Sequence, residues 1–164
     1  MRCSLNKTMA WAVALLLIAF CSELQAAPEE KVGHNERCSV CGMFVAKYEN
    51  WIVQVRFTDD EVMFFDGVKD MLVFYFNPRK YSAKEQQDIK EIWVKDYYTL
   101  AWLDGRKALY VIGSDVYGPM GKEFIPFASR ESADNFLRDH KGRRLPHQKL
   151  EHYFAVLPDA ESNA

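Results

Sequence analysis

The chain has 164 residues, of which 49% are hydrophobic, 14% aromatic and 27% charged. This composition is typical of a folded globular protein, and it excludes a wholly disordered chain, a collagen-like repeat and a coiled coil. The formal net charge of −2 argues against a strongly basic nucleic-acid binder. Four cysteines are too few for a disulfide-dense scaffold.

Residues 1–26 have the pattern of an export signal. Arg2 and Lys7 supply positive charge, and the uncharged apolar run from Met9 to Cys21 has 13 residues. This run is shorter than the roughly 20 residues that span a bilayer, as in the apolar core of a signal peptide. Leu24-Gln25-Ala26 fits a cleavage site. We therefore expect a soluble protein exported to the periplasm, with Ala27 as its first mature residue.

The alternative for this segment is a lipoprotein signal, in which Cys21 is acylated and anchors the chain to a membrane. The bulky Phe20 departs from the small residue that precedes the modified cysteine in such signals, so soluble export is favoured. Soluble export leaves Cys38 and Cys41 as the cysteines of the mature chain.

The first half of the mature chain predicts a lead-in followed by a hairpin. Residues 27–37 are polar and predict a flexible lead-in. From Trp51 the apolar residues recur at every second position, which predicts a strand over Trp51–Phe57 with one buried face. Thr58-Asp59-Asp60 predicts a turn, and Glu61–Phe65 predicts a second strand paired with the first.

An amphipathic helix follows this hairpin, because apolar residues recur at i, i+3, i+4 and i+7. They are Val68, Met71, Leu72 and Tyr75. Asp66 is the predicted N-cap of the helix, and Pro78 limits its end. Ser82 and Glu85 have the spacing of a capping box and predict the start of a short helix. Glu91–Tyr98 is the predicted third strand.

The same order of elements returns in the second half. Ala108–Ile112 and Phe124–Phe127 are predicted strands on either side of a loop at 113–122. Ser129 is predicted to cap a helix over 130–141, which Gly142 ends. We therefore predict the α+β class, with two similar ββαβ units at 38–103 and 104–148 and a tail at 149–164.

The chemistry concentrates first in Cys38 and Cys41, whose spacing lets one metal ion contact both sulfur atoms. A c-type haem attachment is excluded because Gly42 stands where a histidine is required. A structural zinc ribbon needs a second pair of Cys or His ligands, and the mature chain has no further cysteine. A thioredoxin-like site is disfavoured because a polar lead-in, rather than a strand, precedes the motif.

Two interpretations of the cysteine pair stay open on spacing alone. A disulfide between Cys38 and Cys41 can form in an oxidising compartment, although so short a loop gains little stability. The other interpretation is a soft-metal site with Met43 nearby as a thioether donor, because thiolate and thioether ligands together select Cu(I).

A second segment, Tyr117-Gly118-Pro119-Met120-Gly121, places a methionine in a tight turn between glycines. Met120 therefore lies outside the predicted strands and helices, where methionine usually fills a core. It either packs onto the neighbouring unit or acts as a metal ligand.

Together these segments resemble the NosL family, which are exported copper-binding accessory proteins of nitrous oxide reductase. The resemblance rests on CSVCGMF at 38–44, FFDGVKDM at 64–71, and GPMG at 118–121 followed by Phe127-Ala128-Ser129. It covers residues 37–145, and it implies two homologous ββαβ units and Cu(I) bound by soft side chains. It also implies copper delivery to the multicopper sites of periplasmic nitrous oxide reductase, with an ABC-type assembly complex as a partner.

The resemblance also implies ligand roles for individual residues. Cys38, Cys41 and Met43 match the family's first motif, and Met120 matches its second, Gly-flanked motif. The family's members are commonly lipoproteins, and Phe20 is where this chain departs from that pattern.

Histidines are further candidate ligands. The family's helix often ends in His-Gly-Gly, and here His140 is kept. Because His140 continues the apolar stripe of the predicted helix, it is either a hydrogen-bonded histidine at the edge of the core or a third copper ligand. His34 in the lead-in is a candidate because it lies four residues before the first cysteine, whereas His147 and His152 in the polar tail are assigned no role.

We predict a carrier and not an enzyme. The sequence offers no nucleophile–base pair, no Gly-rich phosphate loop and no paired carboxylates at a credible site. The alternative is a periplasmic thiol–disulfide oxidoreductase or copper reductant that uses Cys38 and Cys41. A third interpretation is an interaction module in which the cysteine pair is only a disulfide staple.

Overall fold

The computed structural model describes residues 27–145. The predicted export signal with Cys21, and the tail with His147 and His152, lie outside the described residues. Within residues 27–145, every helix is too short or too polar to cross a membrane.

The first sheet has four antiparallel strands in the order β2-β1-β3-β4. They are β1 (Val53–Phe57), β2 (Val62–Phe65), β3 (Ile89–Lys95) and β4 (Trp102–Asp104). Strand β1 begins at Val53 rather than at Trp51, because Glu49–Trp51 form a 3₁₀ turn. The expectation of one buried face is wrong, since Gln54 on the other face is also buried and accepts a hydrogen bond from the Glu29 amide. The predicted hairpin of β1 and β2 is confirmed, with Val53 opposite Phe65. Its turn contains Asp60 at a φ of 65°, a left-handed conformation that aspartate tolerates better than most residues.

Two helices follow β2. Helix α1 (Val68–Phe76) buries the predicted apolar stripe in the core of the first sheet. It ends before Pro78, as predicted, and helix α2 (Pro78–Tyr81) begins at that proline. Proline is tolerated there because the first turn of a helix has no partner for its N–H.

The predicted N-cap of α1 is wrong. Gly67 holds the N-cap position and makes no side-chain cap, while the Asp66 carboxylate accepts a hydrogen bond from the Cys41 thiol. Local sequence favours aspartate as a cap. Here the cysteine turn packs against the same end of the helix, and the Asp66 carboxylate accepts a hydrogen bond from the Cys41 thiol instead of from a helix amide.

Two further details of this half differ from the prediction. The short helix after α2 is a single 3₁₀ turn at Gln86–Asp88, and Glu85, not Ser82, is its capping residue. Strand β3 ends at Lys95 rather than at position 98. The reason is that the Asp96 carboxylate accepts hydrogen bonds from the amides of the next turn, which bends the chain.

The second sheet has three antiparallel strands in the order β8-β5-β9. They are β5 (Leu109–Ile112), β8 (Ile125–Phe127) and β9 (Arg143–Arg144). The segment 113–122, predicted as a loop, contains a hairpin of β6 (Tyr117–Gly118) and β7 (Gly121–Lys122). We call residues 117–122 the Met120 hairpin, because Met120 lies at its tip.

Helix α3 (Arg130–Asp139) connects β8 to β9. Ser129 caps it as predicted, because its Oγ accepts a hydrogen bond from an amide of the first turn at 3.1 Å. The helix ends earlier than predicted, since His140 has an extended backbone. Gly142 has a φ of +125°, and a Cβ atom there would lie 2.7 Å from the Ile112 carbonyl oxygen, so β9 can approach β5 only with glycine at this position.

The α+β class is confirmed by these antiparallel sheets and few helices. In each half, the strand that follows a helix pairs with the first strand of that half. The origin of both halves in one repeated unit stays a prediction. The halves pack together through Tyr97, whose ring centroid lies 6.0 Å from that of Phe127 and 5.1 Å from that of Phe136.

Candidate metal centre

The two cysteines lie in a tight turn that is closed by backbone hydrogen bonds. The Cys38 amide donates to the Met43 carbonyl oxygen at 2.8 Å, and the Gly42 amide donates to the Cys38 carbonyl oxygen at 2.9 Å. Gly42 has a φ of +76°, which glycine adopts without steric cost. Both thiols therefore point to the same place, the N-terminal end of α1.

Four side chains converge where the cysteine turn meets α1. The ligand atoms of Cys38, Cys41, Asp66 and Asp70 all lie within 4.8 Å of one another, and we call these residues the thiol–carboxylate cluster. The Cys38 thiol donates to an Asp70 carboxylate oxygen at 3.3 Å, and the Cys41 sulfur lies 3.4 Å from both carboxylate oxygens of Asp66. Cys41 is half-buried and the other three residues are buried, so the cluster is reached from the Cys41 side.

The expectation of no paired carboxylates at a credible site is wrong. Asp66 directly follows β2, and Asp70 lies in the first turn of α1. Asp66 lies two residues before the first residue of α1, so both carboxylates lie at the same end of the helix. The signal is present in the FFDGVKDM segment. It cannot be read locally, because the thiols that meet these carboxylates come from 25 and 32 residues away.

Burial controls the protonation of the cluster. It raises the pKa of Cys41 to about 12, although the Met43 amide partly offsets this by donating a hydrogen bond to the sulfur. Burial also raises the pKa of Cys38 far above its usual range. The pKa of Asp70 is raised by burial too, and the nearby charge of Asp66 adds to the effect. The thiols are therefore protonated at neutral pH until a cation replaces their protons.

These raised pKa values oppose the thiol–disulfide oxidoreductase alternative. A catalytic thiol in such an enzyme has a lowered pKa, so that its thiolate can attack a disulfide. Cys38 and Cys41 have the opposite shift. Within the part of the chain that the structure describes, both are free thiols and no disulfide joins them.

The donor set of the cluster fits a thiophilic metal ion. Its two sulfur atoms suit Cu(I), which prefers soft ligands, and a bound cation stabilises the thiolate form of each cysteine. Its two carboxylates supply the second ligand pair that a four-coordinate zinc site requires. The sequence argues only against a structural zinc ribbon, whose second ligand pair is Cys or His, whereas here the second pair is two aspartates.

The two predicted methionine ligands differ in position. Met43 is half-buried beside the cysteine turn, and its carbonyl group helps to close that turn. Met120 is 40% exposed, and its carbonyl oxygen accepts a hydrogen bond from Lys69 Nζ at 2.7 Å. Lys69 immediately precedes Asp70, so the Met120 hairpin contacts the turn of α1 that carries one residue of the cluster. The ligand roles of both methionines stay predictions.

The two candidate histidines are not members of the cluster. His140 Nδ1 lies 2.8 Å from an Asp115 carboxylate oxygen, and the His140 ring stacks on Phe136 at 4.4 Å between centroids. This is the hydrogen-bonded histidine at the edge of the core that the sequence offered as one interpretation. His34 is exposed in the turn before the cysteines. Ligand roles for His140 and His34 stay predictions.

A buried glutamate borders the cluster, and sequence pattern does not predict it. Glu123 is 4% exposed, and its Oε1 accepts hydrogen bonds from the amides of Lys69 at 2.5 Å and Phe124 at 3.0 Å. Burial raises the pKa of Glu123 to about 8. The Glu123 carboxyl group therefore accepts the hydrogen bond from the N-terminal amide of α1 that Asp66 was expected to accept.

Comparison with known proteins points to one family. The sequence model of the NosL family matches residues 29–154. A curated relative is the copper-binding lipoprotein NosL of Stutzerimonas stutzeri. It is 26% identical over 180 aligned positions, which cover 97% of this chain and 88% of the relative.

Two solved structures are similar. The crystal structure of the copper chaperone NosL from Shewanella denitrificans has a TM-score of 0.63 and 20% identity, and the match covers 73% of this chain and 92% of that chain. The solution structure of apo-NosL from Achromobacter cycloclastes has a TM-score of 0.46 and 26% identity, over 68% of this chain and 94% of that chain. The first match supports the fold, and the relatives' names describe copper-binding proteins rather than enzymes.

Proposed function

Because this chain belongs to the NosL family, we propose that it is an exported Cu(I)-binding metallochaperone. It delivers copper to a periplasmic copper enzyme. Membership of this family makes nitrous oxide reductase the proposed client. An ABC-type copper-site assembly complex is the further partner. The relatives' names, copper-binding lipoprotein and copper chaperone, support the copper cargo.

The observation that carries this proposal is the convergence of two thiols and two carboxylates within 4.8 Å. Cu(I) binds the sulfur atoms of Cys38 and Cys41, and each S–H bond that breaks releases one proton. Asp66 and Asp70 already accept hydrogen bonds from these thiols, so each proton can pass through a carboxylate and leave to water. Copper stays in one oxidation state, and no external reductant is needed.

A carrier must also release its cargo. Cys41 is half-buried and Met120 is exposed, so a partner can reach the metal from that side. Two or three soft donors leave a coordination position for a ligand from the partner, which a closed four-ligand cage would not. Met43 and Met120 are the two proposed candidates for the third donor, a thioether. His34 and His140 are secondary candidates.

The carboxylates favour a second occupant, a borderline divalent ion such as Zn²⁺. Zinc in proteins is held by four ligands, and both cysteine sulfur and carboxylate oxygen serve. Cu(I) needs the sulfur atoms, whereas Zn²⁺ needs the oxygen atoms as well. The two cargoes are therefore separable by substitution of the aspartates.

The experiment is an anaerobic titration of reduced residues 27–164 with Cu(I) in competition with a chelator, alongside Cys41→Ser and Met120→Ala. We expect the wild type to compete for one Cu(I) and Cys41→Ser to lose most of that affinity. The carrier proposal fails if the reduced wild type cannot compete. Loss in Cys41→Ser without loss in Met120→Ala would remove only the Met120 assignment.

Client and location need separate tests. Incubation of the Cu(I)-loaded protein with metal-free nitrous oxide reductase should transfer copper, and the Cys38→Ser, Cys41→Ser double variant is the control. The mass of the exported protein's N-terminus distinguishes Ala27 from an acylated Cys21, and the name lipoprotein of the curated relative supports the second form. Copper retained after incubation with the client would contradict the delivery role.

A further inference from the structure

The Met120 hairpin and α1 meet at one buried carboxyl group, that of Glu123. This residue immediately follows β7 and is 4% exposed. A glutamate is rarely buried without a defined set of partners, because transfer of its carboxyl group from water is unfavourable. Its partners therefore indicate what the burial achieves.

The partners of Glu123 lie at the N-terminal end of α1. Its Oε1 accepts a hydrogen bond from the Lys69 amide at 2.5 Å, across 54 residues of sequence. The same oxygen accepts one from the Phe124 amide at 3.0 Å, which fixes the carboxyl group relative to its own strand. Glu123 thus joins the end of the Met120 hairpin to the first turn of the helix that carries Asp70.

Two glycines make room for this carboxyl group. A Cβ atom on Gly67 would lie 2.3 Å from Glu123 Oε2, and a Cβ atom on Gly118 would lie 3.1 Å from Glu123 Cγ. Neither glycine has a left-handed backbone, so the close approach of Glu123 is the reason for glycine at both positions. Gly118 belongs to the hairpin and Gly67 to the start of α1, and both fit around the same side chain.

Lys69 donates two hydrogen bonds to the segment that contains the Met120 hairpin and Glu123. Its amide donates to Glu123, and its Nζ donates to the Met120 carbonyl oxygen at 2.7 Å. These two bonds hold both the base and the tip of the Met120 hairpin against one residue of α1. The next residue along the helix is Asp70 of the thiol–carboxylate cluster.

We infer that Glu123 is a positioning residue that sets Met120 beside the thiol–carboxylate cluster and so gives the copper site its thioether ligand. The inference rests on the proposed function. Glu123 does not bind the metal, and it acts through the hairpin and through Met120. A purely structural role would instead stabilise the fold and leave the copper affinity of the folded protein unchanged.

The test is a double-mutant cycle of Glu123→Ala and Met120→Ala, read as Cu(I) affinity by chelator competition. We expect Glu123→Ala to weaken Cu(I) binding about tenfold in the wild type and to have no further effect in Met120→Ala. Glu123→Gln keeps the acceptor oxygen and should restore most of the affinity. Equal losses in both backgrounds, or no loss in the wild type, would overturn the inference.

NMR of the methionine methyl groups provides a second test beside the double-mutant cycle. In protein labelled with ¹³C at methionine methyl groups, the Met120 resonance, assigned from its absence in Met120→Ala, should shift when Cu(I) is added. The same resonance should stay in place when Cu(I) is added to Glu123→Ala. A Met120 shift of wild-type size in Glu123→Ala would overturn the inference.

Controls separate this inference from simple destabilisation and from failure of the proposed function. Ser129→Ala removes the cap of α3 and lowers stability without touching the hairpin, so its Cu(I) affinity should match that of the wild type. If Glu123→Ala does not fold, Lys69→Leu removes the side-chain bond to Met120 without adding a sulfur atom and should give the same non-additivity. A wild type that binds no Cu(I) refutes the proposed function, whereas additive losses refute only the role of Glu123.

Discussion

The thiol–carboxylate cluster and the Met120 hairpin both contact the first turn of α1, but they differ in burial and in the way they are held. Three of the four cluster residues are buried, and a short turn and one helix end fix their side chains. Met120 is 40% exposed at the tip of a hairpin with two residues in each strand. On the proposed function, the contrast corresponds to two tasks of a carrier, retention by buried sulfur and release through an accessible thioether.

The two regions also differ in protonation. The cluster thiols hold their protons at neutral pH, because burial raises the pKa of Cys41 to about 12 and that of Cys38 further. A thioether carries no proton at any ordinary pH. If copper binds as proposed, it competes with protons in the cluster and not at Met120, so pH should act on one part of the site alone.

The largest expected effect is removal of a cluster thiol. Cys41→Ser should weaken Cu(I) binding by more than about a hundredfold, because loss of a residue that merely supports a ligand already costs about 10–100-fold in affinity. Chelator competition under anaerobic conditions measures this. Ser39→Ala in the same turn is the matched control, and an equal loss in both variants would show that the turn, rather than the sulfur, is responsible.

The next effect distinguishes the carboxylates from the thiols. Asp70→Asn should weaken Zn²⁺ binding about 10–100-fold and Cu(I) binding much less, because only Zn²⁺ needs the oxygen ligand. The same variant should stabilise the metal-free protein, since burial raises the pKa of Asp70 and its charged form is disfavoured. Calorimetric metal titration and thermal unfolding measure the two effects. Equal losses of Zn²⁺ and Cu(I) affinity in Asp70→Asn would contradict the claim that only Zn²⁺ uses the carboxylate.

A smaller effect is expected at the exposed region. Met120→Ala should weaken Cu(I) binding about tenfold and leave the pH dependence of binding as in the wild type. Its unfolding temperature should hardly change, because the side chain is 40% exposed. Tyr117→Ala is the matched control, since Tyr117 is 63% exposed in the same hairpin and has no sulfur. Equal affinity losses in the two variants would remove the ligand role of Met120.

A separate effect, on the stability of the metal-free protein rather than on copper binding, concerns pH at the junction of the two regions. Burial raises the pKa of Glu123 from 4.5 to about 8, so between these values the folded protein keeps a proton that the unfolded chain releases. Raising the pH through this window therefore lowers the free energy of unfolding. Glu123→Gln should lose that part of the pH dependence, as measured by urea unfolding from pH 4 to 9. Identical pH profiles for both proteins would contradict the burial of a titrating group.

Much of the fold follows from local pattern. The pairing of β1 with β2, the apolar stripe of α1 and the serine cap of α3 each depend on residues close in sequence, and each is present where expected. The strands β6, β7 and β9 have two residues each, too few to leave a periodic pattern. They form because the surrounding fold brings their backbones together.

The candidate site was only partly predictable for a related reason. Cys38 and Cys41 are recognisable because their spacing alone permits joint ligation. Asp66 also satisfies the local rule for a helix cap, so the sequence pattern predicts a cap. It does not predict the contact with a thiol 25 residues earlier. Glu123 meets the Lys69 amide across 54 residues, and only the packing of the two halves produces that contact.

The central claim is that the buried thiols retain Cu(I) by exchanging their protons for it. The direct measurement is the Cu(I) affinity of reduced residues 27–164 between pH 6 and 8, by anaerobic competition with a chelator of known proton dependence. We expect one Cu(I) per chain and an affinity that rises by about one to two orders of magnitude per pH unit. An affinity that is independent of pH, or a protein that cannot compete for one Cu(I), would contradict the account.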